Sequence, residues 1–135
     1  MQLNAYLNFS GNCAEAFRFY EKALGAKITG MQTHGESPMA DQVPPNWRDR
    51  VLHVRLEVGA AVLMGSDAPP QSYLKPQGFA VSVSVPKPEE AERIFGALAE
   101  KGTVQMPIQK TFWSVRFGML VDRFGTPWMV NCDQA

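Results

Sequence analysis

The residues able to do acid–base or metal chemistry in this chain are few. Only two histidines occur, His34 and His53. His34 stands two residues before Glu36 in the segment HGE. A histidine and a carboxylate in one loop could act as base and acid, or join a partial metal site. The flanking Gly35, Ser37 and Pro38 fit a solvated flap equally well. His53 lies in the alternating run VLHVRLEV, sharing a face with Arg55 and Glu57 opposite Leu52, Val54, Leu56 and Val58. That face is either the outside of a sheet or the wall of a polar pocket. Cys13 and Cys132 form no C-x-x-C pair and read as two buried thiols rather than a disulfide.

A second group could bind rather than react. Phe112, Trp113, Phe117, Phe124 and Trp128 crowd the last quarter of the chain. Aromatic side chains with a few polar groups are how small-molecule pockets are built, although aromatics in strands also serve as plain core. Gln109, Thr111 and Asn131 are the polar groups available there. Trp47 stands in an otherwise polar, proline-containing loop, where its ring calls for burial against a cavity or a second subunit.

Composition narrows the classes. Thirteen Lys and Arg balance thirteen Asp and Glu, with no long run of one sign. This argues against nucleic acid or an anionic membrane as partner, since both are bound through excess basic charge. The N-terminal stretch lacks the pattern of a secretory signal and no apolar run reaches membrane-spanning length, so a cytoplasmic location is expected. No phosphate loop and no dinucleotide fingerprint occurs, and GSD at Gly65 to Asp67 is not a nucleophile elbow. No glycine-rich strand-to-helix turn is present to cradle an adenosyl cofactor.

The elements that must position these residues follow from periodicity. Leu3, Ala5, Leu7 and Phe9 alternate as a strand. Asn12 and Glu15 then form a capping-box pattern ahead of a helix carrying Ala16, Phe19, Tyr20, Ala23 and Leu24, with Gly25 as a left-handed stop. A strand from about Ala26 to Thr33 precedes a long loop from His34 to Arg50, and VLHVRLEV and AAVLMGSD read as two strands around Gly59. After a second loop the order recurs: FAVSVSV as a strand, a helix with Pro88 in its first turn and Gly102 past its end, a short strand TVQMP, then TFWSVRFGMLV and TPWMVNC as a hairpin around DRFG. Glu15, Ala16, Arg18 and Tyr20 match Glu90, Ala91, Arg93 and Phe95 at one constant offset. A duplicated βαβββ module is therefore expected, about 1–67 and 78–133 within a single 135-residue domain.

On YLNFSGNCAEAFRFYEKALGA, the tail TFWSVRFGMLVDRFGTPWMVNC and the two modules, the chain resembles the vicinal oxygen chelate superfamily of glyoxalases, bleomycin-resistance proteins and dioxygenases, and within it the PhnB-like branch. The resemblance implies an α+β fold in which two βαβββ modules form a curved mixed sheet around a cavity, with helices outside. In metal-using members each half supplies two inward-facing ligands, from its first and last strands. The matching positions here are Ala5 and Met64, then Ala80 and Met129. Alanine has no donor atom and a thioether is too soft for most divalent ions, so no metal and no cofactor is expected. A shift of one residue brings Asn4, Leu63, Phe79 and Trp128, or Tyr6, Gly65, Val81 and Val130, and neither set makes a metal site.

The expected function is metal-free binding of a small organic molecule in a cavity lined by Phe112, Trp113, Phe117, Trp128, Asn131, Met64, Met129 and Trp47. One alternative is a divalent-metal lyase, isomerase or dioxygenase using His34, Glu36 or His53. The other is a structural or interaction protein whose cavity is filled by Met64, Met129 and the aromatics. The branch implies a homodimer.

Overall fold

In the computed structural model, which describes residues 1–133, the alternating and helical stretches become strands and helices in the expected order. These are β1 (Ala5–Phe9), α1 (Cys13–Leu24), β2 (Lys27–Thr33), β3 (Val51–Val58) and β4 (Ala61–Asp67), then β5 (Val81–Ser84), α2 (Pro88–Ala99), β6 (Thr103–Gln109), β7 (Arg116–Val121) and β8 (Pro127–Cys132). The chain divides into two compact units, Met1–Leu74 and from Lys75 onward. Each holds one βαβββ module and one four-stranded sheet, ordered β1-β4-β3-β2 in the first and β5-β8-β7-β6 in the second. The first strand of each module runs parallel to the last, and the other pairs are antiparallel. The class is α+β.

Each unit builds its core between its helix and one face of its sheet. In unit 1, Cys13, Ala16, Phe17, Tyr20 and Ala23 of α1 are buried, as are Leu7, Phe9, Val54, Leu56 and Leu63 of the sheet. In unit 2, Ala91, Ile94, Phe95 and Leu98 of α2 are buried, as are Leu120, Trp128, Val130 and Cys132. Glycine lets a helix ring approach a strand closely in both. A Cβ on Gly65 would lie 2.7 Å from the Phe17 ring, and one on Gly118 would lie 2.6 Å from the Phe95 ring. Real Cβ contacts are not that short, so these rings occupy the space a side chain would need.

The start of α1 is capped from far along the chain. Asn12 is the residue before the helix, but its side chain makes no capping hydrogen bond, so the local box with Glu15 does not form. Instead Oδ1 of the buried Asp67, at the end of β4, accepts from the backbone N–H of Gly11 at 2.9 Å and of Cys13 at 3.0 Å. Oδ2 of Asp67 accepts from Val51 N–H at 2.8 Å, where β3 begins. One carboxylate thus satisfies orphan donors at the helix N-terminus and at a strand end. At the other end Gly25 takes the left-handed conformation, as expected.

One sequence expectation needs correction. The run TFWSV does not extend the strand before Arg116. Ser114 is buried there with its hydroxyl 2.7 Å from Arg116 O and 2.8 Å from Cys132 O, and Thr111 N–H donates to Ser114 O, which turns the chain into a loop. Gly102 lies past the end of α2, as expected, and the residue before it, Lys101, takes the left-handed conformation at φ 59°. A Cβ on Gly102 would lie 2.5 Å from Val121 O, so glycine at 102 serves close packing against the end of β7.

Candidate functional site

The face of each sheet turned away from its helix carries the residues with chemical or binding potential. In β8, Trp128, Val130 and Cys132 are buried on the helix side, while Pro127, Met129 and Asn131 are half-buried on the other. Met119 is paired with Met129 across β7 and β8, and Ser82 with Met129 across β5 and β8. Beside them lies a groove of about 410 Å³. Its walls include Phe79, Ala80, Gln105, Met119, Pro127 and Met129, all in unit 2. The lining is chiefly apolar, with amide groups from Gln77 and Gln105.

The residues expected to line one cavity are divided between the two units, Met64 and Trp47 in unit 1 and the others in unit 2. Met129 is in the groove wall. Trp128 is not, because it faces the helix, 1% exposed, and its indole N–H donates to Asp122 Oδ2 at 2.8 Å. Asn131 lies on the open face, but its Oδ1 is 2.6 Å from the Ser114 hydroxyl and its amide donates to Asp133, so both ends are engaged within the protein. Phe117, Trp113 and Phe112 form an edge-to-face chain with centroid spacings of 5.4 and 4.7 Å. That chain ends in solvent, with Trp113 49% and Phe112 97% exposed. Met64 belongs to unit 1, on the open side of β4. Trp47 packs beside His34 at 6.5 Å, under the Arg50 guanidinium.

His34 and Glu36 do not converge into an acid–base pair. Glu36 Oε1 accepts from both the backbone N–H and the hydroxyl of Thr33 at 2.8 Å, closing a capping box around a short 3-10 turn. The Thr33 backbone N–H first, and its hydroxyl second, hold the Glu36 carboxyl below the usual glutamate range. An acceptor already committed in this way is a poor base. His34 Nε2 and the neighbouring Trp47 Nε1 are buried without a hydrogen-bond partner among the described residues.

His53 has a defined side-chain partner. Its Nδ1 is 3.2 Å from Tyr6 Oη, and the two rings stack at 5.7 Å with 28° between planes. Sequence alternation placed His53 on a face with Arg55 and Glu57, but gave no sign of Tyr6, which β1 brings from 47 residues away. Arg55 Nε donates to Glu57 Oε2 at 2.9 Å, and Thr29 donates to the same oxygen. Those two hydrogen bonds, Arg55's first, lower the Glu57 pKa.

Register decides the fit of a metal. Tyr6, not Ala5, is paired with Met64, and Ser82, not Ala80, with Met129. Ala5 shares the helix-side parity of Leu7 and Phe9. A phenol beside a thioether in unit 1, and a hydroxyl beside a thioether in unit 2, are each poor donors for a divalent cation. Among the described residues no three of His, Cys, Asp and Glu gather in one place. Cys13 adds no reactivity, since burial, and then the charge of Asp67, push its thiol pKa far up.

Comparison with known proteins agrees with this architecture. A family model described as Glyoxalase/Bleomycin resistance protein/Dioxygenase superfamily matches residues 2–130. Protein YjdN of Escherichia coli (strain K12) is 34% identical over 139 aligned positions, covering 97% of this chain and 95% of that protein. The crystal structure of protein PA1353 from Pseudomonas aeruginosa is 47% identical, with a TM-score of 0.92 over 100% of this chain and 99% of the other. A Bacillus cereus structure titled as a putative 3-demethylubiquinone-9 3-methyltransferase, PhnB protein, shares the fold at 23% identity and a TM-score of 0.80, each chain covered in full.

Proposed function

The chain belongs to the glyoxalase/bleomycin resistance/dioxygenase superfamily, and from that premise we propose that it binds a small, largely apolar organic molecule without a divalent metal. The observation that carries this reading is the groove beside Met119 and Met129. Its volume of about 410 Å³ lies within the usual range for small-molecule sites, and methionine side chains adapt their shape to different apolar partners. Gln105 offers one amide to orient a polar substituent. An open groove here favours binding over a site filled by its own side chains. The poor metal donors within each unit, Tyr6 with Met64 and Ser82 with Met129, support binding over metal-assisted turnover.

The test is thermal shift of chelator-treated protein against a panel of aromatic and aliphatic compounds, repeated with added zinc, nickel, manganese and iron. The expected result is a ligand-dependent rise in Tm that the metals do not alter. A rise with metal alone, or ligand binding only in its presence, would overturn the reading.

The proposal includes a pair of identical chains and a cytoplasmic setting. Phe112 and Trp113 support the first, since large exposed aromatics mark contact surfaces. Sedimentation velocity should give a species of twice the 15.0 kDa chain mass, and a single-chain species would refute it. Cys13 and Cys132, both buried and outside any disulfide, suit a reducing compartment. No helix among the described residues is long and apolar enough to cross a membrane.

A further inference from the structure

Unit 1 presents a second constellation, which the groove in unit 2 does not use. β1 and β3 are not neighbours, because β4 lies between them. The phenol of Tyr6 therefore reaches across β4 to meet His53, and their rings stack on the open face. Tyr6, Met64 and Arg55 form one row across the sheet through successive pairs. His53 and Arg55, two residues apart on one strand, face the same way at about 6.6 Å spacing. Gln32 is paired with His53 from β2.

The valences left open define a ligand. Tyr6 occupies Nδ1 of His53, leaving Nε2 as that ring's free position. Glu57 occupies Nε of Arg55, and no described residue is hydrogen-bonded to its two terminal nitrogens. Arg55 remains 39% exposed at its side chain. With the Tyr6 hydroxyl donating to Nδ1, Nε2 carries the ring proton, and that N–H and an edge of the Arg55 guanidinium, on side chains of one sheet face, can each donate to one oxygen of a single carboxylate. The stacked rings and the Met64 thioether offer a flat apolar surface alongside. Glu57 already neutralises the charge of Arg55, so a monoanion gains more from the donor geometry than from net charge.

We propose that Tyr6, His53 and Arg55 form a binding site for a small planar organic carboxylate on the open face of unit 1. The proposal does not rest on the apolar groove, and either can fail without the other.

The chain's two histidines make the test direct, because each gives one Cε1–H proton signal and His34 is a built-in reference. Benzoate is titrated into the intact protein, with the neutral benzamide as control. The His53 signal, assigned by its loss in His53→Gln, should shift saturably with benzoate while that of His34 stays in place. Benzamide should leave both unmoved. Arg55→Lys keeps the charge but loses the planar fork, and should weaken benzoate binding about tenfold. Tyr6→Phe keeps the ring, removes the bond to Nδ1, and should also weaken it. The proposal is overturned if neither signal moves at millimolar benzoate, if both move together, or if benzamide acts as benzoate does.

Discussion

Replacing Asp67 by alanine should lower the stability of the protein by about 3 to 6 kcal/mol. Its carboxylate accepts three backbone hydrogen bonds, from Gly11, Cys13 and Val51, and it is 3% exposed. Each buried donor left without a partner costs roughly 1 to 3 kcal/mol, and neighbouring losses overlap as the backbone relaxes. Water cannot easily replace the carboxylate at a site this enclosed. For a domain of this size the melting temperature should fall by roughly 10 to 20 °C. Asp67→Asn keeps one acceptor oxygen but turns an N–H toward one of the donors, so a smaller loss of about 2 kcal/mol is expected. Denaturant titration of both variants checks the ranking. An alanine variant within about 1 kcal/mol of the parent would mean that the three contacts contribute little.

The second large effect concerns binding. Met129→Glu places a carboxylate in the wall of the groove while sparing the helix-side core, because Met129 lies on the opposite face from Trp128 and Val130. An apolar ligand would then have to desolvate the new charge, and its affinity should fall by roughly a hundredfold, about 2.8 kcal/mol. Met129→Leu keeps the apolar wall and should stay within about threefold of the parent. Isothermal titration of the three proteins with one ligand from the thermal-shift panel reads both. Equal affinity in the glutamate variant would move the site away from this groove.

Which parts of this were legible in the sequence follows from the range of the forces involved. Strand alternation, helical spacing and the turns at Gly25, Gly59 and Gly125 act over a few residues, and they gave the element order and both modules. The capping of α1 did not follow, because its acceptor sits 54 residues beyond Cys13. The Asn12 and Glu15 pattern looked sufficient by itself, and no sequence rule announces a remote carboxylate that displaces a local box. Aromatics favour strands, yet Phe112 and Trp113 lie outside β7. The Ser114 hydroxyl, whose single proton has Arg116 O, Cys132 O and Asn131 Oδ1 as acceptors within reach, instead anchors a loop there.

The candidate site was read less well, for a reason of register. Spacing measured back from α1 selected Ala5, whereas hydrogen bonding of β1 to β4 pairs Tyr6 with Met64. A count that differs by one residue exchanges the two faces of a strand. That single step separates an alanine on the helix side from the phenol that meets His53. The same parity explains Trp128. Met129 was selected for the open face, so its neighbour necessarily points into the core, where its indole N–H finds Asp122.

The most direct measurement of the central claim uses the methionine methyl groups as reporters. Protein labelled with 13C at the methionine methyls, treated with chelator, is titrated with a compound that raised Tm, and resonances are assigned by Met119→Leu and Met129→Leu. Met119 and Met129 should shift together and saturate at the same ligand concentration, with Met1 and Met39, both strongly exposed, unaffected. Unmoved Met119 and Met129 signals in the presence of a ligand that binds, or movement only after a divalent metal is added, would contradict the metal-free groove.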